Sequence, residues 1–204
     1  MHGSSISLRY LLNSEEKREA SLETQHNHIT PIEEIETMHL RRRRPTKADA
    51  LILRDLWRNE QVRQYLGGTI SDDVIEGKIA SLHEHWDQYG FGQWSICEKE
   101  TGQIIGLCGL QHSEEGIEIS YMFFPASWGR GRATEAASAS LNHGFHRLGF
   151  ERIVAITQKA NRGSCRLLEK VGMHHINTLW RYNATQYVYQ LTKEKCSDLS
   201  FSIV

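Results

Sequence analysis

The stretch "SWGRGRATEAAS" at residues 127–138 alternates two glycines with two arginines, then opens a helix with Thr134, Glu135 and small residues. Bare backbone and positive charge at a helix start suit an anion, above all a phosphate. The first amides of a helix are free donors, and its dipole adds positive potential there. Gly129 and Gly131 let successive N–H groups face one anion, and Arg130 and Arg132 add charge-assisted hydrogen bonds. The other reading is a tight turn whose arginines are simply solvated. Two common phosphate-binding patterns fit badly. The Gly-Lys-Ser/Thr ending of an NTP-hydrolysing loop is missing. A G-x-G-x-x-G dinucleotide turn belongs early in a parallel βαβ series, whereas this loop reads G-x-G-x-A after a meander of strands.

A second stretch, "NRGSCRLLEKVGM" at residues 161–173, follows the strand-like "RIVAIT". Together the two stretches resemble the paired signature segments of the GNAT acetyltransferases. The match is to the RimJ and RimL branch of ribosomal-protein N-terminal acetyltransferases, where W-G-x-G-x-A-T-E-A and N-x-x-S-x-x-x-x-E-K-x-G recur. The opening "LRRRRPTKADALILRDLWRNEQVRQYLGG" is similar to that branch's first strand, helix and short helix, so the resemblance spans residues 38–192. It implies the GNAT fold, a mixed, mostly antiparallel splayed sheet with helices on both faces, and acetyl-CoA as co-substrate without a metal. The pyrophosphate would rest on the amides and side chains of Gly129, Arg130, Gly131, Arg132, Ala133 and Thr134. The pantetheine arm would pair like an added strand with the backbone of Met122, Phe123 and Phe124, where "EISYMFF" and "RIVAITQ" splay apart. Asn161 and Arg166 would hold the cofactor from the other side.

Acyl transfer from a thioester to an amine needs a neutral amine, a donor for the oxyanion and a proton for the departing thiolate. An α-amine of pKa about 8 costs only ~1 kcal/mol to deprotonate near neutral pH, a lysine about 4–5 kcal/mol. Glu118 matches a strand glutamate that acts as base, often through water, in several GNAT enzymes. The alternative is a solvent-facing glutamate on an edge strand. His112, at the end of the preceding strand, is the reserve base, and the backbone amide of Phe123 or its neighbour is the expected oxyanion donor. Many GNAT enzymes carry a tyrosine acid seven residues after the motif asparagine, and Leu168 stands there in this sequence. In the RimJ and RimL branch a serine three residues after the asparagine takes that task, which here is Ser164. Its other reading is a cap for the helix "SCRLLEKV".

These groups must be held by elements that the rest of the chain encodes. "HLRRRRP" reads as a strand, "TKADALILRDLWRNEQVRQYL" as a helix with apolar spacing from Leu51 to Leu66, and a second helix begins at Ser71 or Asp72. Three short strands with turn residues between them form an antiparallel meander over residues 93–124. The phosphate loop, a helix to Leu148, the strand "RIVAIT", a helix and two closing strands complete an α+β architecture. Residues 1–37 read as a polar extension with a weak helix around Leu11–Leu22, residues 38–195 as the folded domain and 196–204 as a tail. One reading makes Met38 the true start.

The chain has 204 residues and a net charge of −1, from 24 basic and 25 acidic residues. That balance argues against a dedicated nucleic-acid partner. No apolar run approaches the roughly 20 residues that cross a bilayer, and the first residues do not read as a signal peptide. Cys97, Cys108, Cys165 and Cys196 lack paired spacing and read as reduced residues of a cytoplasmic protein. The His83/His85 and His143/His146 pairs lack a third ligand, so no metal is expected. Arg41 to Arg44 read as a strand with solvated arginines, the tryptophans as mostly core, and Trp128 as a cover for the cofactor or a prop beneath the loop. The expected reaction is acetyl transfer to a primary amine, foremost a protein N-terminal α-amino group. A small amine, an aminoglycoside-type antibiotic, or a non-catalytic acyl-CoA-binding module are the alternatives, and a homodimer is an admissible state.

Overall fold

Alternating apolar residues in the middle of the chain become the centre of a sheet. The computed structural model describes residues 34–197; the helix expected around Leu11–Leu22 and most of the extension and tail lie outside them. Its strands are β1 (Glu34–Glu36), β2 (Leu40–Arg43), β3 (Gln93–Glu98), β4 (Ile104–Ser113), β5 (Gly116–Phe123), β6 (Arg152–Gln158), β7 (His174–Arg181) and β8 (Ala184–Thr192). They lie in the order β1-β2-β3-β4-β5-β6-β8-β7. Every neighbouring pair is antiparallel except β5 with β6. That pair runs parallel and is bridged at one position, Glu118 opposite Val154. Past it the two strands diverge, so the sheet opens as a wedge and leaves one side of β5 without a strand partner.

Helices cover both faces. On one face α1 (Ala50–Arg58) and α3 (Asp72–Tyr89) press Leu53, Leu56, Trp57, Ile75 and Leu82 against Leu107 of β4. On the other, α4 (Arg132–His146) and α5 (Arg162–Lys170) bury Ala137, Leu141, Phe145 and Leu168 over Leu110, Ile119 and Ile153. Removing a side chain such as Phe145 would cost about 3–5 kcal/mol. Small residues let α4 sit low: a Cβ on Gly144 would come within 2.6 Å of Leu110 and 2.8 Å of Ile153. A side chain at that position would have to displace the terminal methyls of Leu110 and Ile153 beneath the helix. A final turn, α6 (Lys193–Ser197), follows β8.

Four expectations change. The helix expected from Thr46 onward is interrupted at Asn59, whose extended backbone ends α1 and whose side chain caps a short α2 (Glu60–Arg63) at Val62 N. Leu51, counted on its apolar stripe, is 69% exposed. Glu34–Glu36, assigned to the extension, pair with β2, because alternating charged residues are compatible with a short edge strand. The arginine run is not merely solvated. Arg42 is 1% exposed, donates to Ser140 Oγ at 3.2 Å and lies 5.6 Å over Trp94, while Arg43 grips Asp49 through two 2.7 Å bonds. Trp57, Trp86 and Trp94 are core as expected, but Trp180 is 74% exposed on the edge strand β7.

Candidate active site

The start of α4 is built to face something other than its own chain. Its N-cap position is Gly131, at φ +76°, and no side chain caps it. Gly129 and Gly131 both have positive φ, and a Cβ on either would meet only open space. Their need is thus conformational: the turn demands left-handed backbone that other residues adopt at a cost. The helix is fixed from outside. Glu135 accepts from Thr37 Oγ1 at 2.6 Å and His39 N at 2.8 Å, tying the first turn to the β1–β2 connection. Burial alone would raise its pKa, but these hydrogen bonds and His39 hold it below the ordinary value. Arg132 donates to Glu98 Oε1 at 2.7 Å and is largely buried. Arg130 approaches the same carboxylate only to 3.8 Å and is 54% exposed in its side chain. The two arginines of the motif therefore divide into one buried brace, which also lines the neighbouring cleft, and one exposed side chain outside its lining.

Between the diverging strands lies a cleft of about 850 Å³. Gly129, Gly131, Arg132, Ala133 and Thr134 line it at one end, Asn161, Ser164 and Arg166 from α5 at another, and Glu118 and Met122 along β5. The parity of β5 decides which backbone groups are available. Phe124 N–H is bonded to Ile105 O, and Met122 sits opposite Leu107 on β4, so both turn their backbone groups toward β4. Phe123 and Tyr121 turn theirs into the opening. The expected pairing surface of Met122, Phe123 and Phe124 thus reduces to Phe123, with Tyr121 added. Phe123's carbonyl already accepts from Trp128 Nε1 at 2.8 Å, so the indole lies against the cleft wall rather than beneath the loop.

Glu118 stands at the last bridged pair, where the wedge begins, and faces the cleft. Burial pushes its pKa up to about 7, with Glu115 adding to the rise and the Ser113 hydroxyl and Arg181 pulling the other way. A carboxyl of that pKa can take a proton from an amine near neutrality. His112, the reserve base, is not among the cleft residues. It pairs with Ile117, whereas Glu118 pairs with Gln111, so the two side chains leave opposite faces of the sheet. His112 instead packs against Tyr89 with the rings tilted and their centroids 4.2 Å apart, and its amide donates to His85 Nε2 at 3.1 Å.

Asn161, rather than Ser164, caps α5: its Oδ1 accepts from Ser164 N at 3.1 Å. That leaves the Ser164 hydroxyl for another partner, which is Tyr121 Oη at 2.7 Å. Burial drives the Tyr121 phenol well above its ordinary pKa, so it stays protonated. Leu168, in the position of the missing tyrosine, is buried in the core. A phenol therefore reaches the serine from a strand and not from the helix. Sequence reasoning missed it, although Tyr121 lies within the quoted strand "EISYMFF". It missed equally the far wall of the cleft, which Gln61, Gln64, Tyr65 and Leu66 supply from α2 and the turn after it.

The sequence pattern of the acetyltransferase (GNAT) domain matches residues 38–174. The uncharacterized N-acetyltransferase YoaA of Bacillus subtilis is 30% identical over 175 residues, covering 79% of this chain and 97% of that protein. An acetyltransferase structure from Agrobacterium tumefaciens superposes with a TM-score of 0.72 at 26% identity, over 78% of this chain and 94% of that one. A Vibrio cholerae spermidine N-acetyltransferase, solved with CoA and spermine, shares the fold at 16% identity and a TM-score of 0.67, over 78% of this chain and 98% of that one. With the wedge in the sheet, the uncapped helix start and the carboxyl of Glu118 at one cleft, these likenesses identify the chain as a member of the GNAT family and an N-acetyltransferase.

Proposed function

We propose that the chain moves an acetyl group from acetyl-CoA to a primary amine, and that the amine is a protein N-terminal α-amino group. Acetyl-CoA is the family's acyl donor, and the cleft suits it: an uncapped helix start with Arg130 beside it for the phosphates, and the open side of β5 for the amide-bearing arm. Ala133, Thr134, Asn161 through its amide nitrogen, and Arg166 complete the proposed contacts. The amide of Phe123 is the proposed oxyanion donor, Glu118 the base, and Ser164 the donor to the departing sulfur.

The observation that carries the reading is Glu118 at the start of the wedge, its pKa raised to about 7 by burial; the choice of acceptor rests on the amine's own pKa. Passing a proton to Glu118 from an α-ammonium of pKa about 8 is uphill by only ~1.4 kcal/mol; from a lysine or polyamine of pKa about 10.4 the cost is ~4.6 kcal/mol. The competing acceptor is a polyamine, since the spermidine N(1)-acetyltransferase of Escherichia coli is 26% identical over 76 residues. The four buried, unbridged cysteines fit the reducing cytoplasm, and the RimJ/RimL-like assignment is part of the same proposal.

A panel of peptides with free N-termini, lysine-only peptides and spermidine, each incubated with labelled acetyl-CoA and resolved by mass spectrometry, tests the acceptor. Preferential labelling of α-amines is expected, and preference for spermidine would overturn it. With a good acceptor, Glu118→Gln should lower kcat by about 10²–10⁴, with partial recovery at high pH. The stability linkage has a defined sign. A folded pKa raised from 4.5 to about 7 contributes stability that is present below 4.5 and lost as pH rises through 7. Glu118→Gln should therefore out-melt the parent at alkaline pH by about 1–3 kcal/mol, the gap closing in acid. Matching melting curves at both pH values would place the carboxyl in water.

A further inference from the structure

Tyr121 and Ser164 come from different elements and meet at 2.7 Å on the wall of the cleft. Tyr121 lies on β5 with its ring packed against the main core, and Ser164 lies in the first turn of α5. Among the described residues this is the only hydrogen bond of the Tyr121 hydroxyl. A phenol is a stronger acid than an alcohol, and a phenolic hydrogen left without an acceptor in an apolar setting is costly. The pair is therefore ordered one way, with Tyr121 donating and Ser164 Oγ accepting. Ser164's backbone is pinned as well, because Asn161 Oδ1 holds its amide at 3.1 Å. With one lone pair engaged by the phenol, the serine hydrogen must turn elsewhere, and the open side is the cleft.

Resting on the reading of this cleft as the acetyl-CoA site, we infer that Tyr121 is a positioning residue that fixes the direction of the Ser164 O–H, so that the serine donates to the sulfur of the acyl donor. The transfer then balances without a buried tyrosinate. Glu118 first takes a proton from the ammonium and passes it to solvent. The neutral nitrogen then bonds to the acyl carbon, the C–S bond breaks with its electron pair going to sulfur, and the nitrogen's second proton passes to Glu118. The sulfur departs as a thiolate held by the Ser164 O–H and takes its proton from water. Tyr121 loses nothing during the step, in keeping with a phenol that burial keeps protonated.

A readout independent of turnover is available. The thiolate of CoA absorbs in the ultraviolet, so the pKa of the bound thiol can be titrated in the CoA complex of the whole chain. The bound thiol should titrate about one unit below that of free CoA, a tenfold gain in thiolate. Tyr121→Phe, which keeps the ring, and Ser164→Ala should each abolish most of that shift, and the double variant should lose no more than Ser164→Ala alone. In turnover, Tyr121→Phe should lower kcat about tenfold or more with the KM for acetyl-CoA unchanged. It should have no further effect in the Ser164→Ala background. A tyrosine that only packs would cost the same in both backgrounds. Parent-like titration and kcat in Tyr121→Phe, in an enzyme that binds CoA and turns over, would overturn this inference alone. A parent chain that binds no CoA would overturn the reading of the cleft and the inference with it.

Discussion

Two helices begin at the cleft, and they begin differently. The first amides of α4 follow Gly131 with no side chain to receive them, while α5 is closed by its own Asn161 at 3.1 Å. Both starts carry the same dipole, so the dipole alone does not say where an anion binds. What separates them is whether the chain has already satisfied its own donors. The open start is also the braced one, through Arg132 to Glu98 and Glu135 to Thr37 and His39. The closed start instead spends its cap on orienting a hydroxyl. On the proposed reading, one helix end receives charge and the other aims chemistry.

The largest test closes the open end. Gly131→Asp sets a carboxylate against the amides meant for phosphate, and like charges there should weaken CoA binding about 100-fold or more. Calorimetric titration reads this directly, and unchanged affinity would move the anion away from α4. Next, the two arginines should separate. Arg130→Ala should lose about 1–3 kcal/mol of CoA binding with the melting temperature unchanged. Arg132→Ala should cost about 1–3 kcal/mol of folding stability, because it leaves Glu98 buried without its brace. If both variants lost affinity alone, the brace would be a resting contact that yields to ligand. The smallest effect comes from opening the closed end. Asn161→Ala should cost about 1 kcal/mol in thermal or urea unfolding and only a few-fold in CoA affinity, through loss of the single proposed contact from its amide nitrogen. A large loss of affinity would make Asn161 a ligand residue first and a cap second.

Much of this contrast was legible before any coordinates. The glycine–arginine alternation marked the α4 start, and the spacing of apolar residues placed the meander and, apart from the first helix broken at Asn59, the helices within a few residues of their observed ends. The misses share a cause. Asn161 and Ser164 were both read as site residues and both line the cleft, yet which of them caps is a matter of local backbone geometry that composition does not encode. Met122 and Phe124 were grouped with Phe123 because the segment was legible and its parity was not: alternate residues of a strand face opposite neighbours, and only the register with β4 assigns them. His112 failed as a base for the same reason. Tyr121 stayed hidden because its partner is 43 residues away, and only the opening of the sheet brings the two together. Glu34–Glu36 escaped notice because a short edge strand carries no apolar signature.

The indole of Trp128, half-exposed and bonded to the Phe123 carbonyl at 2.8 Å, gives the cleft an optical readout of its own. An incoming amide-bearing arm that pairs with β5 would share or compete for that carbonyl, so occupancy should change the surroundings of the indole. Three of the five tryptophans are buried in the core and should emit steadily, and Trp180 can be silenced by Trp180→Phe. In that background, emission intensity and quenching by iodide become a stopped-flow signal for the arrival of the donor, separable in time from the chemistry that follows.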